Sequence, residues 1–416
     1  MELEKENKTR KEEGVRGRSD FWKGFVCGAA VLTLFLFLSW FFLGGGFFLL
    51  GQEDAQLSID TMAVSRKLRE MEAVINEYYY NDVDEEKVVD WMYKGLMAGL
   101  DDPYAAYYTE EELTSVTNDI NGSYEGIGAT LSKDSETGEI TVVSCYEDTP
   151  AEEAGMLPGD TILTMNGESV QDMELSDMVS AIQSGEYDTI TFTIKREGSN
   201  EELSITVEPR VVDVPTVESE MLKNKIGYIK VTEFDNVTVD QFRNAKETLT
   251  SQGMEKLIID LRNNPGGNLK TVLAMLDEIL PEGLVVYTED KNGERTEYYC
   301  DGENELQIPL VVLVNSQSAS ASEIFAGAVK DYGIGTLVGE TTYGKGIVQM
   351  DVNLSDGPAM KLTVSKYFTP NGNDIHEVGI EPDVEVALEE GLEQMVTIPK
   401  DQDNQLQKAI EILEDE

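Results

Sequence analysis

The sequence predicts a multidomain α/β protein, and three observations carry that prediction. Residues 210–388 alternate apolar strands with amphipathic helices, the pattern of an α/β core. Residues 122–208 change to short strands separated by turns, with one helix near 176–184, the pattern of a separate small domain. Upstream of both, 58–113 reads as helix and 25–50 as a single apolar span. At 416 residues, with 41% apolar and 8% aromatic content, the chain has room for two or three such domains and is not disordered.

In chain order, residues 25–50 come first. They carry no charge and, at 26 residues, exceed the roughly 20 that cross a bilayer as a helix. Arg10, Lys11, Arg16, Arg18 and Lys23 precede this stretch, and Lys and Arg are sparse just after it. The positive-inside rule therefore makes 1–24 a cytoplasmic tail and 25–50 a single-pass anchor in the cell membrane, with the bulk of the chain outside. A cleaved signal peptide is the rival reading, but the run is long for one and no A-x-A site follows Leu50. Beyond residue 23, 25 basic residues face 74 acidic ones. That balance argues against nucleic acid as a partner and is explained by a solvated acidic surface. Cys27 lies in the span, and Cys145 and Cys300 fall in different predicted domains, so free thiols are expected.

The helical region, 56–120, rests on Val64, Leu68, Met71, Val74 and Ile75 at spacings of three and four. A second helix runs over 85–100, and Asp102-Pro103 breaks it. Such a stripe serves an ordinary core or a homodimer surface, and both stay open.

Residues 121–209 hold three signatures in order. Gly126-Ile127-Gly128-Ala129 lets successive backbone N–H groups converge into a nest for a carboxylate, with Thr130 and Leu131 ready to pair an added strand. Residues 149–155 read as a short capped helix ended by glycine, and 157–163 as a turn and strand running to the turn Asn166-Gly167. Together they resemble a PDZ domain. The resemblance implies that Gly126, Ile127, Gly128 and Ala129 hold the C-terminal end of a peptide.

In the core, strands are expected at 226–231, 257–261 and 310–314, with helices over 239–252 and from Leu269. Residues 389–416 form a tail whose last helix places Leu406, Ala409, Ile410 and Leu413 on one face. The most telling segment is NSQSASASEIFAG at 315–327, a serine-rich turn between a β-branched run and an alanine-rich helix. A helix start offers unpaired N–H groups to an oxyanion. It also invites a cap, because Ser320 followed by Glu323 fits a capping box.

A serine nucleophile needs a base. The only histidine, His376, lies in a polar turn-like stretch, and its scarcity removes any zinc site needing two or three histidines. Lys345, flanked by Gly344 and Gly346 with Tyr343, Ile347 and Val348 as apolar cover, is the alternative, since burial lowers a lysine pKa toward 7 or 8 by roughly 3 units. The run DLRNNPGG at 260–267 ends in glycines able to expose N–H groups.

DLRNNPGG, SASASE, YGKGIVQ, YFTPNG and GIEPD occur in that order and resemble the carboxyl-terminal processing peptidases, S41 serine proteases joining a PDZ domain to a Ser-Lys core of crotonase-like, ClpP-like fold. The resemblance runs from about residue 60 to the C-terminus. It implies Ser320 as nucleophile, Lys345 as base, Gln349 orienting the base, and the N–H groups of Gly266 and Ala321 as oxyanion donors. Ser318 and Ser322 become supporting residues. It further implies protein substrates with exposed C-terminal tails and neither metal nor organic cofactor. How Gln349 reaches the base does not follow from spacing, since four residues span about 13 Å in a strand and 6 Å in a helix. The rivals are a non-catalytic PDZ scaffold and a histidine-dependent serine protease using His376.

Overall fold

The computed structural model describes residues 57–199, 201–395 and 398–415. The expected cytoplasmic tail and membrane anchor lie outside the described residues. Among the described residues no helix is long and apolar enough to cross a membrane.

The chain divides into two units, the first ending at Asp84. Its helix Thr61–Tyr78 starts at Asp60, whose carboxylate accepts the Ala63 N–H at 3.0 Å, the usual N-terminal cap.

The second unit, from Glu85 onward, opens with the helix Glu85–Ala98, the short strand Ala106–Tyr108 and the helix Glu110–Asn121. The sequence pattern predicts a helix over 85–100, a break at Asp102-Pro103 and no strand in this region. Asp102-Pro103 ends the first helix, as expected, but the residues after it go into a sheet, opposite 359–361. The next helix carries a full capping box from Thr109 and Glu112 and stops at Gly122 in the left-handed region.

Residues 129–207 form a sheet in the order Ala129–Lys133, Ile140–Cys145, Thr161–Met165, Ile190–Lys195, Leu203–Val207, closed over Ile140, Val142, Ile162, Met178, Ile190 and Phe192. Ala129–Lys133 is an edge strand, with the helix Leu175–Gln183 packed beside it. The entry strand Ser123–Gly126 and exit strand Arg210–Asp213 pair antiparallel, a two-stranded ribbon joining this domain to the core. One expected detail differs. Thr149 does not cap the helix Pro150–Glu153; its hydroxyl donates to the carbonyls of Tyr146 (2.7 Å) and Gly128 (3.2 Å).

The core sheet runs Val217–Met221, Ile226–Val231, Lys256–Asp260, Leu310–Val314, Thr336–Gly339, Val384–Glu385, the first pair antiparallel and the others parallel. Successive side chains of a strand point to opposite faces, and Leu310–Val314 is buried on both. Leu310, Val312 and Val314 join the core under the helices Thr238–Ser251, Leu269–Asp277 and Ala321–Tyr332. Val311 and Leu313 meet Leu406, Ala409 and Leu413 of the final helix Asn404–Asp415. A second, antiparallel sheet of Ala106–Tyr108, Gly283–Asp290, Arg295–Cys300, Ile347–Asn353 and Ala359–Phe368 was not foreseen. Cys145 and Cys300 are unpaired.

Candidate active site

Three adjacent parallel strands deliver the chemistry to one end of the core sheet. Lys256–Asp260 runs into the turn holding Gly266, Leu310–Val314 into the serine elbow, and Thr336–Gly339 into the lysine loop. Because the strands are parallel neighbours, their carboxyl ends abut, where open α/β sheets gather their sites.

The flanking serines fasten the elbow. Ser318 Oγ donates to the Leu261 carbonyl at 2.8 Å and accepts the Asn315 N–H at 3.0 Å; Ser322 Oγ donates to the Asn264 carbonyl at 2.9 Å. Both serines are fully buried. The Ala319 N–H adds a bond to the Asn264 carbonyl at 3.1 Å. Between them Ser320 stands at φ 55°, ψ −112°, a conformation costly for a residue with a Cβ, on the order of 1–3 kcal/mol, which the surrounding bonds must offset.

Glu323 binds this elbow to the base. Its fully buried carboxylate accepts four donors: Ser320 N–H at 2.9 Å and Lys345 N–H at 2.7 Å on Oε2, Thr342 Oγ1–H and Gly344 N–H at 2.6 Å each on Oε1. The capping expectation is therefore half of what this residue does. Tyr367 closes the other side, its single hydroxyl proton shared between the carbonyls of Ser320 (3.0 Å) and Lys345. Burial, then Glu323 and Tyr104, push the Tyr367 phenol well above its usual pKa, so it stays a donor. The sequence had shown Tyr367 inside a motif without a role.

Lys345 is half-buried. Burial lowers its pKa, Lys361 adds to the lowering, and Glu323 opposes it. Its Nζ rests 4.7 Å from the centroid of the Tyr104 ring. No hydrogen bond joins it to Ser320 Oγ. Close backbone packing explains the adjacent Gly346, where a Cβ would fall 2.6 Å from the His376 N atom. His376 thus lies against the lysine loop, its Nδ1 buried without a partner and its N–H donating to Asp374 at 2.9 Å. It makes no hydrogen bond to Ser320.

Gly266 abuts the nucleophile: a Cβ there would lie 2.7 Å from Ala319 O, 2.8 Å from Ser320 Cβ and 2.9 Å from Ala321 N, at φ 108°. Its own N–H is engaged by Asn264 Oδ1 at 2.8 Å. Gln349 stands on the strand Ile347–Asn353, its amide donating to Thr363 Oγ1 at 3.3 Å. In the small domain the carbonyls of Ile127 and Gly128 are tied inward, by Ala151 N–H (2.8 Å) and Tyr146 N–H (2.9 Å), and Gly128 takes φ 75°. Among the described residues no cluster of His, Cys, Asp or Glu could hold a metal ion.

An elbow serine at φ 55°, wired to a lysine loop at the end of a parallel sheet, is the architecture of a serine-type hydrolase, here with a small β-rich domain spliced in ahead of it. Residues 225–386 match peptidase family S41, 125–207 match the PDZ domain, and 50–112 match the N-terminal domain of the activating protease CtpB. Carboxy-terminal processing protease CtpA of Bacillus subtilis (strain 168) is 36% identical over 361 residues, covering 86% of this chain and 75% of that protein. CtpB of the same organism is 34% identical over 324 residues, covering 77% and 67%. Among solved structures, a photosystem II D1 C-terminal processing protease aligns at 30% identity and TM-score 0.46, over 79% of this chain and 88% of that one. The chain belongs to peptidase family S41 and is a carboxy-terminal processing serine protease with a PDZ domain.

Proposed function

We propose that this protease is a membrane-anchored endopeptidase that cleaves C-terminal segments of extracytoplasmic proteins with Ser320 as nucleophile and Lys345 as general base. The observation that carries the reading is Glu323, one buried carboxylate accepting the backbone N–H of both residues, at 2.9 and 2.7 Å. The lowered pKa of Lys345 supports it as well, since it raises the fraction of neutral amine at a given pH.

In this mechanism neutral Lys345 takes the Ser320 proton as Oγ bonds the scissile carbonyl carbon. The oxyanion is met by the N–H of Ala321 and by that of Gly266 once Asn264 Oδ1 releases it. The lysine ammonium then protonates the leaving amine as the C–N bond breaks. Water, deprotonated by the same amine, hydrolyses the acyl ester and returns Ser320. Gln349 orients the base after exchanging its bond to Thr363.

The loop Gly126-Ile127-Gly128-Ala129 receives the substrate carboxylate, and the edge strand Ala129–Lys133 pairs with the peptide. Because the loop directly continues the strand Ser123–Gly126 of the ribbon that joins this domain to the core, its occupancy also gates the active site. Residues 25–50 hold the protein in the cell membrane, with the N-terminus cytoplasmic and the protease outside. Exposed Val88, Val89, Trp91 and Leu96 on Glu85–Ala98 offer a homodimer surface.

The test is fluorophosphonate labelling and peptide cleavage by the intact protein and three variants. Ser320→Ala and Lys345→Ala lose both activities; His376→Ala keeps them. Cleavage that survives Lys345→Ala but not His376→Ala rejects the assignment, and a native chain that neither labels nor cleaves supports a non-catalytic scaffold.

A further inference from the structure

What faces the Lys345 amine comes from outside the 225–386 peptidase match. The turn after Glu85–Ala98 is set by Asp102, whose Oδ1 accepts the Tyr104 N–H at 2.9 Å. The strand Ala106–Tyr108 then pins the turn to Ala359–Phe368, with Ala106 opposite Lys361. This brings the face of Tyr104 to Lys345 Nζ, 4.7 Å from the ring centroid. Burial first, then Tyr343 on the loop that carries the amine, raises the Tyr104 phenol above its ordinary pKa, so it stays neutral beside the ammonium.

The neighbouring lysine is treated the same way. Lys361 Nζ lies 6.0 Å from the Tyr108 ring centroid, so each of the two ammonium groups faces a tyrosine of its own. Other charged or titratable groups around Lys345 are Glu323 from the helix Ala321–Tyr332, Lys361 from the antiparallel sheet, and Tyr343 and Tyr367. Asp102 acts on Tyr104, and His376 backs onto Gly346.

We propose that the Tyr104 ring is the resting seat of the Lys345 ammonium and sets the pH at which the base becomes available, a positioning role supplied by the N-terminal helical region. The inference rests on the Ser-Lys reading above. An aromatic face attracts an ammonium and not a neutral amine. The ring therefore opposes the burial and the Lys361 charge that favour the neutral form, and the amine leaves the ring for Ser320 as it loses its proton. A cation–π contact in a partly desolvated site corresponds to about one pH unit.

The experiment keeps ring size and changes ring electronics. In the full chain, Tyr104 is replaced by phenylalanine or by genetically encoded pentafluorophenylalanine, nearly isosteric rings of opposite quadrupole. The rate of fluorophosphonate attachment at Ser320 is then followed against pH. The acid limb of the fluorinated variant is expected about one pH unit below that of the phenylalanine variant, with labelling up to about tenfold faster below the limb. Tyr104→Leu, apolar but without a quadrupole, should shift the limb the same way. Coincident limbs, or a fluorinated limb at higher pH, overturn the seat. Should Lys345→Ala label with an unaltered limb, the Ser-Lys reading fails, an outcome separate from failure of the seat.

Discussion

Replacing Glu323 by glutamine tests whether one carboxylate holds nucleophile and base together. The amide keeps one acceptor oxygen and puts an NH2 group where the other stood. If the NH2 turns toward Ser320 and Lys345, two buried N–H donors meet a donor. If it turns the other way, Thr342 Oγ1 can accept from it, but the Gly344 N–H is left without an acceptor. The cheaper orientation thus leaves one buried donor unpaired, about 1–3 kcal/mol, and removes charge assistance from the remaining bonds, about 1 kcal/mol more. We expect Glu323→Gln to lose about 2–4 kcal/mol, read by urea denaturation of the full chain. Because part of that loss relaxes the strained Ser320 backbone, kcat for a reporter peptide should fall at least about tenfold. Glu323→Gln with unaltered unfolding midpoint and kcat would refute the clamp.

Three further perturbations follow from the same geometry. Gly266→Ala places a Cβ within 2.9 Å of Ala319 O, Ser320 Cβ and Ala321 N at φ 108°, so turnover should drop about 100-fold or more; a near-normal kcat would separate this turn from the chemistry. Arg262→Met leaves Asp260 and Asp403, both almost fully buried and each 2.6–2.7 Å from the guanidinium, without their counter-charge. It should cost about 3–5 kcal/mol in denaturant unfolding, and a loss below about 1 kcal/mol would contradict that account. Asp235, 6% exposed, has its carboxyl pushed up to about 7 by burial, then by Glu233 and Asp119. A folded pKa above the unfolded one of about 3.9 means the acid's contribution is intact below about pH 4 and lost as pH rises through about 7. Asp235→Asn should therefore raise stability by about 2–4 kcal/mol at pH 8 and by little at pH 4; a gain independent of pH would mean the carboxyl is not protonated on folding.

Much of the core was legible because its signals are local. The run at 310–314 is apolar at every position, as a parallel strand buried on both faces requires, and the stripe at Leu406, Ala409 and Leu413 marks one helix face. The antiparallel sheet was missed for want of such a stripe, since Ile347–Asn353 and Arg295–Cys300 are largely exposed on one side or both. Two turn signals were present and went unused: Asn292-Gly293 between the strands Gly283–Asp290 and Arg295–Cys300, and Asp356-Gly357 between Ile347–Asn353 and Ala359–Phe368.

Sequence by itself determined which residue types the site contains and roughly which element carries each: a serine at a strand-to-helix elbow, a glycine-flanked lysine, a glycine turn after DLRNN. It also determined that Glu323 stands three residues after Ser320, since helix capping depends only on near neighbours. Tertiary structure decided what that carboxylate does. Its bond to Lys345 spans 22 residues and exists because Leu310–Val314 and Thr336–Gly339 lie side by side and parallel. The same holds for Tyr104, brought to the lysine by a strand pairing across more than 250 residues. Periodicity and capping record interactions within a turn or two of the chain, whereas the environment of the base is built from segments whose proximity only the folded sheets create.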